Sequence, residues 1–197
     1  MFQQREKIGD DVVDLWAAIL SDIPESKLYL KSSQFNEPSF VERMRLRFEN
    51  RRISYERLML EGSSPRKEYL NAYNKIDITL DTFPFSGATT TVESLWMGVP
   101  TLTMPGSTNV SRQSASMMAA VGLKDWIASS EDEYLTKARS FSRDTRYMSA
   151  LRSTLRETLR ESPLLNAKKF AVDFEHLICS AHQERINLSP KVTLISN

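Results

Sequence analysis

The sequence is poor in cysteine, in histidine and in any excess of one charge. The single cysteine, Cys179, excludes an internal disulfide and any metal site built on paired cysteines. The two histidines, His176 and His182, fall on one late helical stretch, so neither a zinc site nor a histidine-based catalytic triad is expected. We expect both to be surface or packing residues. The formal net charge of +1 lacks the basic excess of a nucleic-acid-binding domain, so no nucleic-acid partner is expected.

Long apolar stretches are also missing. No run reaches the ~18 residues that suggest a membrane span, and the first seven residues contain no apolar signal-peptide core. We therefore expect a cytoplasmic protein that has no membrane partner. The length of 197 residues and the 41% hydrophobic content fit one globular domain with a helical extension.

Short strand and helix patterns alternate through the first two thirds of the chain. Strands are predicted at 27–31, 52–55, 76–81 and 99–104, and helices at 10–20, 38–48, 65–75, 89–97 and 112–121. Gly98 and Gly122 are placed to end two of these helices. Such alternation is typical of a doubly wound parallel sheet, so the predicted fold class is Rossmann-like α/β.

From about residue 131 the pattern predicts helices alone. They cover 131–145, 147–160 and 166–183, and they would belong to a single domain over 1–184. Residues 185–197 are predicted to form a loose tail. Trp16, Trp96 and Trp126 fall on apolar faces and are predicted to lie in the core.

The run from Asp81 to Thr90 is the candidate ligand site. Ligands of open parallel sheets bind beyond the carboxyl ends of the strands, and this run leaves such an end and enters a helix. A helix N-terminus offers unpaired backbone N–H groups and a partial positive charge, which suit a phosphate. Gly87 would allow close backbone approach, and the hydroxyls of Thr89 and Thr90 would add donors. One turn further on, the Glu93 carboxylate can accept hydrogen bonds from both hydroxyls of a ribose.

A purely structural role explains the same residues. Ser86 to Thr91 can form a loop and a helix cap, with Thr89 as the capping residue and Glu93 close to the positive end of the helix dipole. The residues by themselves leave both interpretations open.

The run from Ile76 to Pro100 resembles the signature of the protein O-GlcNAc transferase/SPINDLY family. The resemblance is carried by Asp81-Thr82-Phe83-Pro84-Phe85-Ser86-Gly87 and by Trp96-Met97-Gly98-Val99-Pro100. Further similar segments follow in order: Thr103-Met104-Pro105-Gly106, Ser111-Arg112, Gly122-Leu123, Trp126-Ile127-Ala128 and Ser162-Pro163-Leu164. The resemblance extends to about residue 184. It implies the C-terminal, nucleotide-binding half of a GT-B fold, in which two Rossmann-like halves face each other across a cleft.

The resemblance assigns the diphosphate of a donor to the start of the chain. Residues 2–8 are similar to a family segment in which a glutamine and a lysine reach the donor diphosphate, and Gln4 and Lys7 match them. Lys7 would be the catalytic residue that helps the nucleotide leave, because an ammonium stabilises the charge developing on the β-phosphate. The chain has no Asp-x-Asp motif, so neither a metal nor a cofactor is expected. A solvated terminal lysine is the alternative for Lys7.

The resemblance also assigns the nucleoside. Ser64, Arg66 and Tyr69 lie where relatives hold the base, and Tyr69 replaces a histidine, so its ring can stack on a base whose identity stays open. Glu93 matches the carboxylate that binds the ribose. Ala88 stands where some relatives carry a polar or basic side chain, so one contact is missing. Arg112 either faces the cleft or begins a solvated helix.

The activity that the resemblance implies is inverting transfer of GlcNAc from UDP-GlcNAc to serine or threonine of a protein acceptor. The general base, the N-terminal GT-B half and tetratricopeptide repeats would lie outside this chain, which alone would bind the donor and transfer negligibly. The alternatives are a relative that uses GDP-fucose or modifies asparagine, a nucleotide-sugar-binding module without turnover, and a purely structural Rossmann-like domain.

Overall fold

The computed structural model describes residues 7–188 of the chain. Helices and strands alternate as far as residue 120, and helices follow. In chain order the elements are α1 (Asp10–Asp22), β1 (Leu28–Lys31), α2 (Pro38–Glu49), β2 (Leu58–Glu61), α3 (Arg66–Asn71), β3 (Thr79–Leu80), α4 (Thr89–Trp96), β4 (Thr101–Leu102), α5 (Gln113–Ala120), α6 (Glu131–Arg143), α7 (Thr145–Glu161) and α8 (Ala167–Leu188).

The strands form two parallel pairs. In the first pair, Leu28 of β1 lies opposite Leu58 of β2, and in the second, Thr79 of β3 lies opposite Thr101 of β4. Just beyond β4, Thr103 forms a parallel bridge with Ile127. Parallel neighbours require crossover connections, which α2 and α4 supply. The predicted α/β class with parallel strands is therefore confirmed.

The second strand lies later in the chain than predicted. Residues 52–55 were expected to be extended, but Arg52 has a left-handed backbone with φ of 63°, and a 3₁₀ turn covers Tyr55–Arg57. The strand is Leu58–Glu61. Ile53 is buried and has polar neighbours, so its segment has the same alternating pattern as a half-buried strand. The Leu-Met-Leu run of β2 contains residues that also favour a helix, so it was not recognised as a strand. The prediction for 52–55 was wrong for this reason.

The main core lies between α1, the strands and the helices α6 and α7. Trp16 and Trp126 are fully buried there, as predicted. The prediction for Trp96 was wrong, since the residue is 40% exposed. The Arg156 guanidinium lies 5.4 Å from the Trp96 ring, and Arg156 Nε donates to the Trp96 carbonyl at 2.6 Å. Trp96 therefore lies on the outer side of α4, under an arginine from α7.

The position of α4 is fixed at its C-terminal end by Gly98. This glycine has φ of 79°, a conformation that glycine adopts without strain. A Cβ there would lie 2.8 Å from the Arg152 carbonyl oxygen. Arg152 in turn donates to the Ile76 carbonyl at 2.7 Å. The glycine therefore lets α7 approach the turn between α4 and β4 and hold the segment that leads into β3.

The three predicted late helices are all present, and the last continues past the predicted boundary at 184 to Leu188. As expected, His176 and His182 are exposed on α8. Cys179 is exposed on the same helix. Within residues 7–188 we find no helix with the length and apolarity needed to cross a membrane.

Candidate functional site

The loop after β3 is built around Asp81, a buried carboxylate that the sequence analysis placed at the start of the loop without giving it a role of its own. Its Oδ1 accepts a hydrogen bond from the Gly87 backbone N–H at 2.8 Å, and its Oδ2 accepts one from the Thr103 hydroxyl at 2.7 Å. Burial raises the pKa of this carboxyl, and the hydrogen bonds it accepts oppose the rise. Asp81 thus joins the two ends of the loop and connects them to β4.

The far end of the loop is held by hydroxyl groups. The buried Ser86 donates through Oγ to the Val110 carbonyl at 2.7 Å, and Ser114 on α5 donates to the Gly87 carbonyl at 3.0 Å. Ser114 Oγ also lies 2.8 Å from Thr91 Oγ1. Both backbone groups of Gly87 are therefore engaged within the protein. In this structure Gly87 shapes the loop through its bonds to Asp81 and Ser114, and close approach of its backbone to a ligand stays a prediction.

Lys7 reaches this loop from the start of the chain. Its Nζ donates to the Ser86 carbonyl at 3.0 Å and lies 4.0 Å from the centre of the Phe85 ring. Partial burial lowers the pKa of Lys7, and the negative charge of Asp81 opposes that shift. Lys7 is therefore not a freely solvated terminal lysine. Gln4, its predicted companion, lies outside the described residues.

The loop ends at the N-terminus of α4. Ala88 is the capping residue, and its methyl side chain makes no capping hydrogen bond. The structure therefore contradicts the expectation that Thr89 caps this helix, since Thr89 is the first helical residue. The first turn carries no acidic side chain, so the positive end of the helix dipole is not neutralised there. Thr89 is exposed and Thr90 half-buried, which leaves this terminus open to an anion.

Glu93, Arg66 and Tyr69 meet one turn further along α4. Arg66 Nη1 donates to Glu93 Oε1 at 2.6 Å, and the Tyr69 hydroxyl donates to Glu93 Oε2 at 2.9 Å. The Arg66 guanidinium also lies 5.5 Å from the centre of the Tyr69 ring. The structure therefore brings together three predicted nucleoside-binding residues from α3 and α4. Tyr73, which packs edge-on against Tyr69 at 6.1 Å, was missed by sequence reasoning.

The remaining predicted residues differ in their surroundings. The Ser64 hydroxyl oxygen is buried without a hydrogen-bond partner in the described structure, and such a group gains from a polar ligand. Arg112 donates to the Asn109 side chain at 3.0 Å in an exposed position, which agrees with a solvated helix start. A cavity of about 650 Å³ lies at the opposite, amino ends of β1 and β3 and is not lined by the loop.

Metal ligands were not expected at this site. Among residues 7–188, no group of three or more His, Cys, Asp and Glu side chains is arranged to hold a metal ion. Transfer without a metal or cofactor stays a prediction.

The carboxyl end of β3 thus carries a lysine, an open helix N-terminus and an oriented carboxylate, in a chain whose residues 1–174 match the model of Glycosyl transferase family 41. The chain belongs to this family.

Three curated proteins show what the chain is similar to. The chain is 38% identical over 181 residues to the tomato (Solanum lycopersicum) protein named probable UDP-N-acetylglucosamine–peptide N-acetylglucosaminyltransferase SPINDLY, covering 89% of this chain and 19% of that protein. The Arabidopsis thaliana protein of the same name is 37% identical over 179 residues, covering 88% and 19%. A UDP-N-acetylglucosamine–peptide N-acetylglucosaminyltransferase of Caenorhabditis elegans is 27% identical, covering 90% and 15%. The chain therefore spans about a fifth of the length of the curated relatives it matches first.

A solved structure confirms the fold. A mutant of the O-GlcNAc transferase of Thermobaculum terrenum matches with a TM-score of 0.85 and 35% sequence identity. The match covers 90% of this chain and 34% of that one. The resemblance to the O-GlcNAc transferase/SPINDLY family is thereby confirmed, as is the expected Rossmann-like half of a GT-B fold.

Proposed function

We propose that this chain is the donor-binding part of an inverting glycosyltransferase that transfers GlcNAc from UDP-GlcNAc to serine or threonine hydroxyls of proteins. The names of the curated relatives support the donor and the peptide acceptor. The observation that carries the proposal is the contact of Lys7 with the Ser86 carbonyl, which brings an ammonium to the loop before the N-terminus of α4. Two sources of positive charge therefore converge where a diphosphate would lie.

The chemistry at this position follows from charge. When the bond between the sugar and the diphosphate breaks, negative charge grows on the β-phosphate. The Lys7 ammonium and the N–H groups of the first turn of α4 stabilise that charge without having to reorganise. Partial burial strengthens the attraction, because a less polar environment screens the two charges less.

The nucleoside would lie on the other side of the same helix end. Glu93 would accept hydrogen bonds from the ribose hydroxyls, and Ser64, Arg66 and Tyr69 would border the base. Gln4, Ala88, Thr89 and Thr90 complete the proposed diphosphate surroundings. The acceptor is a separate protein. We place the general base, the facing GT-B half and any tetratricopeptide repeats in a longer protein, since the chain spans only about a fifth of the length of its relatives.

Thermal melting with nucleotides tests the donor site on this chain alone. Ligand at about 100 times its dissociation constant adds about 2.7 kcal/mol to stability, which for a domain of this size corresponds to about 5–10 °C. We expect UDP and UDP-GlcNAc to raise the melting temperature by this amount, in EDTA as well as without it, and uridine to raise it far less. The absence of a shift with any nucleoside diphosphate contradicts the proposal.

The same experiment decides between two donors. Tyr69 stands where the family resemblance places a histidine, and an aromatic ring stacks on any base. If GDP gives the larger shift, a guanine-nucleotide sugar replaces UDP-GlcNAc as the donor. We expect UDP to give the larger shift.

A further inference from the structure

The Glu93 carboxylate is held at both of its oxygens. Arg66 bonds one oxygen at 2.6 Å and the Tyr69 hydroxyl bonds the other at 2.9 Å. The side chain of Glu93 is only 12% exposed, whereas that of Arg66 is 64% exposed. A glutamate side chain has three rotatable bonds and loses rotamer freedom when it is ordered. Here the protein has already ordered it before any ligand arrives.

Tyr69 is in turn fixed from the core side. Its ring packs edge-on against that of Tyr73 at 6.1 Å, and Tyr73 is fully buried. The Tyr73 hydroxyl donates to the Thr90 carbonyl at 3.3 Å. Partial burial raises the pKa of Tyr69 to about 12, so its hydroxyl keeps its proton and remains a donor to Glu93. A line of contacts thus runs from the core to the Glu93 carboxylate.

The hydrogen-bonding capacity of the carboxylate matches a ribose. Two carboxylate oxygens offer about four lone-pair positions, of which Arg66 and Tyr69 occupy two. The positions that remain can accept the 2′- and 3′-hydroxyls. A nucleotide lacking the 2′-hydroxyl would leave one of them unused.

Resting on the proposed donor site, we propose that Tyr69, assisted by Arg66, is a positioning residue that holds Glu93 in the orientation that selects ribose over 2′-deoxyribose. Arg66 alone would hold the carboxylate weakly, because its guanidinium is largely exposed and exposed ion pairs contribute little. The Tyr69 hydroxyl comes from a half-buried ring and sets the angle of the carboxylate. Discrimination between sugars therefore depends on a group that need not touch the sugar.

The test compares the affinities of UDP and 2′-deoxy-UDP for the full 197-residue chain and for its Tyr69→Phe variant, by calorimetric titration. A hydrogen bond to a charged group distinguishes the two nucleotides by roughly tenfold or more, and we expect the wild type to show that ratio. In the variant the ratio of the UDP affinity to the 2′-deoxy-UDP affinity should fall below about threefold, because a mobile Glu93 carboxylate loses most of its preference for the ribose. Tyr55→Phe is the matched control, since Tyr55 is 51% exposed on a separate 3₁₀ turn, and it should keep the wild-type ratio.

Each outcome has a distinct meaning. If the wild type binds neither nucleotide, the proposed function fails and the inference fails with it. If the wild type prefers UDP and Tyr69→Phe keeps the full ratio, or loses affinity for both nucleotides equally, the positioning role is overturned while the donor site stands. If Tyr69→Phe does not fold, Tyr69→Leu, which also lacks the hydroxyl, replaces it. A fall in the ratio then supports the inference, and an equal loss for both nucleotides contradicts it.

Discussion

Replacing Lys7 by alanine in the longer enzyme is expected to lower the rate of sugar transfer by about a hundredfold to a thousandfold. UDP binding should weaken far less, because the N-terminus of α4 and Glu93 remain. Lys7 is held against the loop by its bond to the Ser86 carbonyl and its contact with Phe85. Its charge is therefore already positioned when negative charge develops on the β-phosphate. The substitution should therefore lower mainly the rate of the chemical step.

The measurement is transfer from the sugar nucleotide to a peptide acceptor, with kcat and KM determined separately. Lys27→Ala is a suitable control, since Lys27 is exposed at the amino end of β1, away from the loop. We expect the control to keep wild-type rates. A Lys7→Ala enzyme with unchanged kcat would remove Lys7 from the mechanism.

The second large effect concerns stability. Asp81→Ala should lower the free energy of unfolding by about 3 kcal/mol or more, because it leaves two buried donors without their acceptor, at roughly 1–3 kcal/mol each. These donors are the Gly87 backbone N–H and the Thr103 hydroxyl. Asp81→Asn keeps the shape and one acceptor oxygen and should cost far less. Chemical denaturation of the two variants and the wild type measures the difference, and equal stabilities for all three would contradict the role of Asp81 in holding the loop.

The pH dependence of the same variants has a definite sign. Burial raises the pKa of Asp81 in the folded protein above its ordinary value of 3.8. The folded state therefore binds the Asp81 proton more tightly than the unfolded state does. The stability that this proton contributes is fully present below pH 3.8 and is lost as the pH rises through the pKa of Asp81 in the folded protein. The wild type should lose stability relative to Asp81→Asn over that window. A wild type that gains stability relative to the variant would show that the hydrogen bonds outweigh burial.

The element pattern of the site could be read from the sequence. The strand before Asp81, the glycine-containing loop and the helix that begins at Thr89 follow from local signals, namely a β-branched run, turn residues and Gly98 beyond the helix end. Those signals depend only on residues that are close together in the chain, so they can be recognised in a single sequence.

Contacts between distant segments could not be derived in the same way. Asp81 was read as a strand end, because its partner Thr103 lies 22 residues away. The orientation of Glu93 depends on Tyr69, which is 24 residues distant. Trp96 was assigned to the core because it lies on an apolar stretch, whereas the structure places it on the outer side of α4, in contact with Arg156 of α7, 60 residues away. The family resemblance predicts that Lys7 lies near the donor, and the structure adds its contacts with the Ser86 carbonyl and the Phe85 ring.

An experimental structure of this chain with bound UDP tests the central claim most directly. We expect the diphosphate to lie within hydrogen-bond distance of Lys7 Nζ and of backbone N–H groups in the first turn of α4, with the ribose hydroxyls on the Glu93 carboxylate. A nucleotide bound elsewhere, for instance in the cavity at the amino ends of β1 and β3, would contradict the assignment of the donor site to this loop.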